Sequence, residues 1–339
     1  MHTPRWNRRQ IITAGAALAS SSAFARSTLA QDASPAASPA GGAQYPLTVS
    51  HAGGETVLEQ EPQRIVALEW SLVEDLLVLG IQPVAIADVD GFRTWVTIET
   101  ELADDVQDVG LRQEPSLESI AGAEPDLILG TAGRDMPIYD QLSGIAPTIL
   151  ETEFPTEKGV TPLDDLRQRL HREAGYLNRH AEAEAAIGAM DATIDEKAAA
   201  IDDAGLTGAP YVVIQGYTSE SAPVWRIFTD QALVGDAISA TGLVNAWTVD
   251  GGDWGFTTNS VENFIELPED VNVFYIVNDT DNIVEGVLAD DPIWQSLSFV
   301  QEGRFFPLGG DTWTFGSTES VQRIVNRSTE QITGTAQDA

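Results

Sequence analysis

Cysteine is absent from the 339-residue chain. That excludes disulfides, thiolate metal sites, cysteine nucleophiles and a lipid-modified cysteine. Histidine is scarce: His2 and His51 lie near the start, and His171 and His180 in a polar helical stretch, so the sequence offers no multi-histidine metal centre. No apolar run reaches the ~18 residues of a membrane span. Basic residues are few, 18 Lys and Arg against 52 Asp and Glu, for a formal charge of −34. Such a balance argues against nucleic acid and against anionic lipid as partners, and is also a generic solubility feature. Enzyme signatures are missing as well. Gly309-Gly310 and Gly251-Gly252 are not followed by the Lys-Ser/Thr of a phosphate loop, and Gly251-Gly252-Asp253-Trp254-Gly255 lacks the strand-turn-helix setting of a dinucleotide site. There is no Gly-x-Ser-x-Gly elbow. Carboxylates abound, yet in so acidic a chain a pair of them reads as solvated surface before it reads as the acid/base dyad of a secreted hydrolase, the reading from another functional class.

What is present begins with an export-like start. Arg8-Arg9 precede Ile11-Ile12 and an Ala/Gly-rich run, and Ala23-Phe24-Ala25 has the form of a cleavage site. Residues 1–25 are expected to be a signal peptide of the twin-arginine type, with the general secretion route as the alternative. Residues 26–44 form a Ser/Pro/Ala/Gly tether that buries nothing.

From residue 45 the chain alternates strand and helix patterns. Arg64-Ile-Val-Ala-Leu68 reads as a strand, and Ser71-Leu-Val-Glu74 as a capping box opening an apolar helical face that Gly80 ends. Pro83-Val-Ala-Ile-Ala87 and Pro147-Thr-Ile-Leu150 are further strands, so residues 45–160 make one α/β lobe with parallel crossovers. The clearest unit is Asp108 to Gly130: Pro115 blocks an earlier helical start, Ser116 caps a short helix, and Asp126-Leu-Ile-Leu129 is a buried strand. Residues 161–207 are helical. Thr161-Pro-Leu-Asp-Asp165 opens one helix, and a second runs from Asn178 to Asp203, about 38 Å at 1.5 Å per residue, long enough to span two lobes. Residues 208–335 resume the alternation as a second α/β lobe. It has strands at Tyr211–Gln215 and Val273–Val277, a helix opening at Ser260, and an edge strand at Arg304–Leu308 because of its proline.

Three sets of residues could carry function. Trp70, Trp95, Trp247, Trp254 and Trp313 fall at strand ends and loops, where open α/β sheets bind ligands. Together they favour a wide aromatic cleft for a large ligand, although each could equally plug a loop of its own lobe. Arg112 and Arg134 flank the Ser116 helix and its strand, as donors to ligand oxygens or as surface ion pairs. Glu118 and Glu262 sit in matching Ser-x-Glu helix starts, one per lobe, a placement that the helix dipole alone also explains.

At these residues the chain resembles the iron-siderophore branch of the periplasmic solute-binding proteins that feed ABC importers, and within it the ferric hydroxamate binders. The resemblance rests on Arg64-Ile-Val-Ala-Leu-Glu-Trp70, Leu76-Leu-Val-Leu-Gly-Ile-Gln-Pro83, Asp108-Val-Gly-Leu-Arg-Gln-Glu-Pro115, Asn245-Ala-Trp247 with Trp254-Gly255, Pro292-Ile-Trp294 and Trp313-Thr-Phe-Gly316. It implies two Rossmann-like α/β lobes with mostly parallel sheets joined by one long helix, the class III periplasmic binding protein architecture. It also implies a ligand in a shallow cleft that closes little. By the same resemblance Arg112 contacts hydroxamate oxygens around the iron, and Trp254, Trp313 and Trp95 are cleft aromatics; Trp70 and Arg134 are added as ligand-binding candidates from their places in the chain. Glu118 and Glu262 match acids that dock on the permease. Arg134 stands where the hydroxamate binders have a tyrosine, and a second cation would suit a carboxylate or citrate siderophore; haem and corrinoids are the other ligands of this fold. The protein is thus expected to be a non-enzymatic, exported monomer without a lipid anchor. It would need no cofactor, since the siderophore holds the iron. A sensor that reports ligand to a membrane receptor is a further alternative.

Overall fold

The computed structural model describes residues 42–219 and 222–334. The expected signal peptide and nearly all of the tether lie outside the described residues. Among the described residues no helix is long and apolar enough to cross a membrane.

The described chain opens with an antiparallel hairpin, β1 (Leu47–His51) and β2 (Gly54–Leu58). Then come β3 (Ile65–Ala67), α1 (Trp70–Val78), β4 (Ala85–Ile86), α2 (Val89–Trp95) and β5 (Gln107–Asp108). A tight antiparallel pair, β6 (Gly110–Leu111) and β7 (Glu114–Pro115), carries Arg112 at its turn. After it come α3 (Leu117–Gly122), β8 (Leu127–Thr131), α4 (Ala132–Asp135), α5 (Tyr139–Ser143) and β9 (Thr148–Glu151). As the sequence pattern requires, Ser116 caps α3 by accepting from Ser119 N at 3.2 Å. The first sheet runs β5-β4-β3-β8-β9 with every neighbouring pair parallel.

Two helices follow, α6 (Pro162–Leu177) and α7 (His180–Asp203). Thr161 caps the first, and Asn178, in the left-handed region at φ 57°, ends it, so the long helix starts at His180, two residues later than expected. The second lobe holds β10 (Pro210–Ser219), β11 (Ala222–Phe228), α8 (Leu233–Ser239), β12 (Val244–Asn245) and β13 (Phe256–Asn259). It continues with β14 (Asn272–Val277), α9 (Pro292–Ser296), α10 (Ser298–Gln301), β15 (Phe305–Pro307) and α11 (Thr318–Thr333). The segment after Ser260 is a 3₁₀ stretch, Val261–Glu266, rather than an α-helix. The second sheet runs β13-β11-β10-β14-β15, with β12 also against β10 and β15 at the edge. It is mixed: β10, β12, β14 and β15 pair in parallel, whereas β11 and β13 run antiparallel. Pro223, the second residue of β11, is the local mark of the break between β10 and β11, which periodicity alone does not show.

The lobes are joined by more than the long helix. Leu163 and Leu166 at the start of α6 belong to the second lobe's core with Tyr211 and Phe228, whereas Leu170, Ala174 and Leu177 belong to the first lobe's core with Ile65 and Leu76. α7 crosses in the opposite sense, from Ala183 and Ile187 in the first core to Met190, Ile194 and Ile201 in the second. Burying each of the leucine, isoleucine and methionine side chains stabilises by about 1.5–3 kcal/mol, and both helices earn it in both lobes.

Polar groups reinforce the seam. Arg169 Nε of α6 meets Asp75 Oδ2 of α1 at 2.6 Å in a buried pair. Next to it both oxygens of buried Glu173 lack a partner, and desolvation raises its carboxyl well above the ordinary range. Glu319 on α11 accepts from Thr100 Oγ1 at 2.7 Å and Thr100 N at 3.0 Å.

The expected capping box of α1 does not form. Glu69 is the N-cap, accepting from Trp70 N at 2.9 Å. Glu74 points instead at the other lobe, where its carboxyl accepts from Ser320 N at 2.8 Å and Ser320 Oγ at 2.6 Å. The first turn of α11 leaves backbone N–H groups without intrahelical partners, and Glu74 meets one of them. Desolvation, with Asp75 adding to it, pushes the Glu74 pKa up to about 7 against the pull of Ser320 and Ser317. A raised acid contributes stability below the ordinary carboxylate range and loses it as pH rises through about 7. Glu74→Gln should therefore flatten the decline in stability above about pH 5 by on the order of 1–3 kcal/mol, with Glu173, Asp135, Asp165 and Asp236, whose carboxyls burial also raises, leaving a residual slope. Chemical denaturation from acid to mildly alkaline pH measures this, and an unchanged slope would clear Glu74 of the role.

Candidate functional site

The site is built at the C-terminal ends of β3 and β8, where parallel sheets place ligands. β3 leads into Glu69, which is 7% exposed. The turn of β6 and β7 brings Arg112 Nη1 to 2.8 Å from Glu69 Oε1, and α4, directly after β8, brings Arg134 Nη1 onto Glu69 Oε2. One carboxylate thus accepts from a backbone N–H and from two guanidiniums.

Arg112 is also stacked. Its guanidinium carbon lies 3.5 Å from the Trp70 ring centroid and 5.3 Å from that of Trp313. Burial lowers its pKa, and Glu69 opposes the shift. Arg134 lies 5.8 Å from the Trp254 ring. Its loop is fixed from both sides: Asp135 accepts from Thr131 N at 2.7 Å, and Glu153 from Gly133 N at 2.8 Å. Desolvation raises the Asp135 pKa to about 6.

The second lobe supplies aromatic rings. Trp313 meets Trp70 edge-on at 4.9 Å between centroids, and Trp254 meets Phe154 at 4.9 Å and Phe315 at 6.1 Å. Trp254 is 42% exposed, an apolar surface left open at the rim. The loop behind it requires Gly255: φ is 66°, and a Cβ there would collide with Ala232 N. Arg226 on β11 faces Gln215 across the hairpin, donating to its Oε1 at 3.1 Å, and its guanidinium lies 4.9 Å from the Phe256 ring and 5.2 Å from Tyr217.

Two cavities open between the lobes. One, of about 260 Å³, is lined by Glu69, Arg112, Arg134, Arg226, Trp254 and Trp313 among others. The second, of about 300 Å³, adds Trp70, Trp95, Tyr217 and Asn278. Arg112, Arg226 and Trp313 line both, so they divide a single cleft. Each of these three has a buried N–H without a hydrogen-bond partner: Arg112 Nε, Arg226 Nε and Trp313 Nε1. Buried donors are seldom left unpaired, and these three are available to acceptors in the cleft; Tyr176 OH, Trp225 Nε1 and Arg323 Nε are unpaired away from it.

The structure brings together Arg112, Arg134, Trp254, Trp313, Trp95 and Trp70 around this cleft. Trp70 is only 2% exposed and donates to Ala87 O at 3.1 Å, so its part is the platform under Arg112. Trp247 does not join them. Its indole N–H is satisfied by Thr257 Oγ1 at 2.9 Å, and its ring packs against the second lobe's core. Glu118 and Glu262 lie outside the cleft on exposed first turns, and the Ser260 hydroxyl holds the Glu262 carboxyl below its usual range. Sequence reasoning missed Glu69 as an ion-pair partner and missed Arg226, Phe154 and Phe315 altogether. An arginine in a strand that alternates exposed and buried positions gives no sign of facing a cleft. Among the described residues no group of three acidic, histidine or cysteine side chains is arranged to hold a metal ion.

The periplasmic binding protein family model matches residues 65–312. This chain belongs to that family. The iron(3+)-hydroxamate-binding protein FhuD of Escherichia coli is 32% identical over 276 residues, 81% of this chain and 89% of that protein. The Fe(3+)-citrate-binding protein YfmC of Bacillus subtilis is 28% identical over 265 residues, 77% of this chain and 78% of its own. Among solved structures, the siderophore binding protein FhuD from Vibrio cholerae, bound to Fe3+-Desferal, superimposes with a TM-score of 0.72 at 26% identity, covering 81% of this chain and 99% of that one. Family membership makes the chain a binding protein, not an enzyme, and the two-lobed α/β architecture is that of the class III binding proteins.

Because Glu69 is buried under two cations, removing one of them should be felt in stability. Arg112→Met is expected to cost about 2–4 kcal/mol, since it breaks the deeper pair and the stacking on Trp70. The more exposed Arg134→Met should cost less, as urea denaturation would show; equal costs would mean that the stacking adds nothing.

Proposed function

We propose that this protein captures a ferric siderophore outside the cytoplasmic membrane and hands it to the permease of an ABC importer, with a hydroxamate-type chelate as its ligand. The observation that carries this reading is the inter-lobe cleft, walled by tryptophans, in which three buried donors have no partner. A siderophore presents the complement: an apolar scaffold around iron-bound oxygens that still accept hydrogen bonds. The iron stays caged by those oxygens, so no side chain need coordinate it.

Charge supports the hydroxamate. The lining of the first cavity sets Arg112, Arg134 and Arg226 against Glu69, Glu153 and Asp165, while Arg169 is paired with Asp75. A balanced wall suits a neutral guest, and three hydroxamate monoanions cancel the charge of Fe3+. The second cation at Arg134, which by itself suggests an anionic ligand, shares its carboxylate with Arg112. A carboxylate siderophore is the second reading, favoured by the identity to the citrate binder. Arg112 and Arg226 would donate charge-assisted hydrogen bonds of about 1.5–3 kcal/mol each, toward the roughly 8 kcal/mol of a micromolar complex. Glu118 and Glu262, exposed and one per lobe, would dock on the permease, and export by the twin-arginine route completes the proposal.

Titration of intrinsic tryptophan fluorescence with a linear ferric trihydroxamate is expected to show saturable quenching, weakened at least tenfold in Arg112→Ala, about 1.4 kcal/mol. No quenching by any ferric chelate would end the reading. Glu118→Ala with Glu262→Ala should leave the titration unchanged and stop uptake by cells that depend on this protein; normal uptake would remove both acids from docking.

A further inference from the structure

Resting on the siderophore reading, we infer that Glu69 is a specificity-determining residue: a built-in counter-anion that makes the cleft discriminate against anionic ferric chelates.

The geometry gives Glu69 no freedom to leave. Its carboxylate caps α1 through Trp70 N at 2.9 Å, and each oxygen takes one guanidinium N–H, from Arg112 on one side and Arg134 on the other. The side chain is buried, so water does not screen it fully. Each arginine has five N–H donors in a planar fork. Each therefore keeps N–H groups for a ligand oxygen while its charge is already partly answered. The first lobe's two cations act as hydrogen-bond donors more than as an anion trap. A ligand carrying extra carboxylates would place negative charge beside Glu69 and Glu153, which both line the same cavity. Like charges brought together in a partly desolvated site repel strongly enough to change affinity by about an order of magnitude. The neutral tris-hydroxamate avoids that repulsion. Rejection by a fixed repulsive group is a common way to obtain selectivity.

The test measures ratios, because Glu69 also positions both arginines. The full chain, its Glu69→Gln variant and its Arg134→Met variant are each titrated with a linear ferric trihydroxamate and with ferric dicitrate. The amide of Glu69→Gln keeps an acceptor for Trp70 N and removes the charge. Its affinity for ferric dicitrate relative to the trihydroxamate should rise by about fivefold or more over the parent chain. In Arg134→Met, which removes one cation and leaves the acid, the same ratio should fall. A smaller rise in the first variant, or a ratio in the second that stays level or climbs, overturns the assignment. If circular dichroism shows that Glu69→Gln does not fold, the direction of change in Arg134→Met decides. Failure of the siderophore reading itself looks different: the parent chain would then bind neither chelate.

Discussion

The cleft exists because two helices are each buried in two hydrophobic cores. α6 and α7 form an antiparallel pair whose ends belong to different lobes, and each contributes leucine, isoleucine or methionine to both interiors. A change in the angle between the sheets would have to pull those side chains out of close-packed surroundings. The Asp75–Arg169 pair and the first turn of α11, gripped by Glu74 and holding Thr100, add directional constraints to the same seam. The positions of Trp70 and Trp313, one from each lobe and in edge contact, follow from this rigidity.

Within that frame the site is a polar core wrapped in rings. Glu69 fixes Arg112 and Arg134, Arg112 stacks on Trp70 with Trp313 beside it, and Trp254 closes the outer edge. Two of the cleft's guanidiniums are thus already bonded to the same carboxylate. Arg226 has no carboxylate partner among the described residues and reaches the cleft from the opposite lobe.

Much of the architecture was legible from residue pattern. The Ser116 cap, the Thr161-Pro162 helix start, Gly80 after the first helix and the proline-marked edge strand all depend on local chemistry, and all appear where that chemistry puts them. What stayed hidden is non-local. Ser71-Leu-Val-Glu74 satisfies the capping-box pattern, yet the partner of Glu74 is a helix end 246 residues away. The mixed character of the second sheet was illegible because a strand's direction is not written in its alternation. At the site, six of the expected cleft residues converge, because tryptophans in loops at strand ends have few other places to go. Trp247 departs from them since Thr257 offers its indole a partner within the lobe. Glu69 was unreadable as the centre because its two cationic partners come from separate segments, the β6–β7 turn and α4.

The doubled helical link has a consequence for exchange kinetics. A binding protein on a flexible hinge can swing open and let its cargo diffuse away. Here both crossings are packed, and the Glu74–Ser320 and Thr100–Glu319 hydrogen bonds tie the same seam, so a wide opening would have to break all of them together. Motion of one lobe against the other is thereby confined to small slips along contacts that are already made, and the walls of the cleft keep their facing geometry.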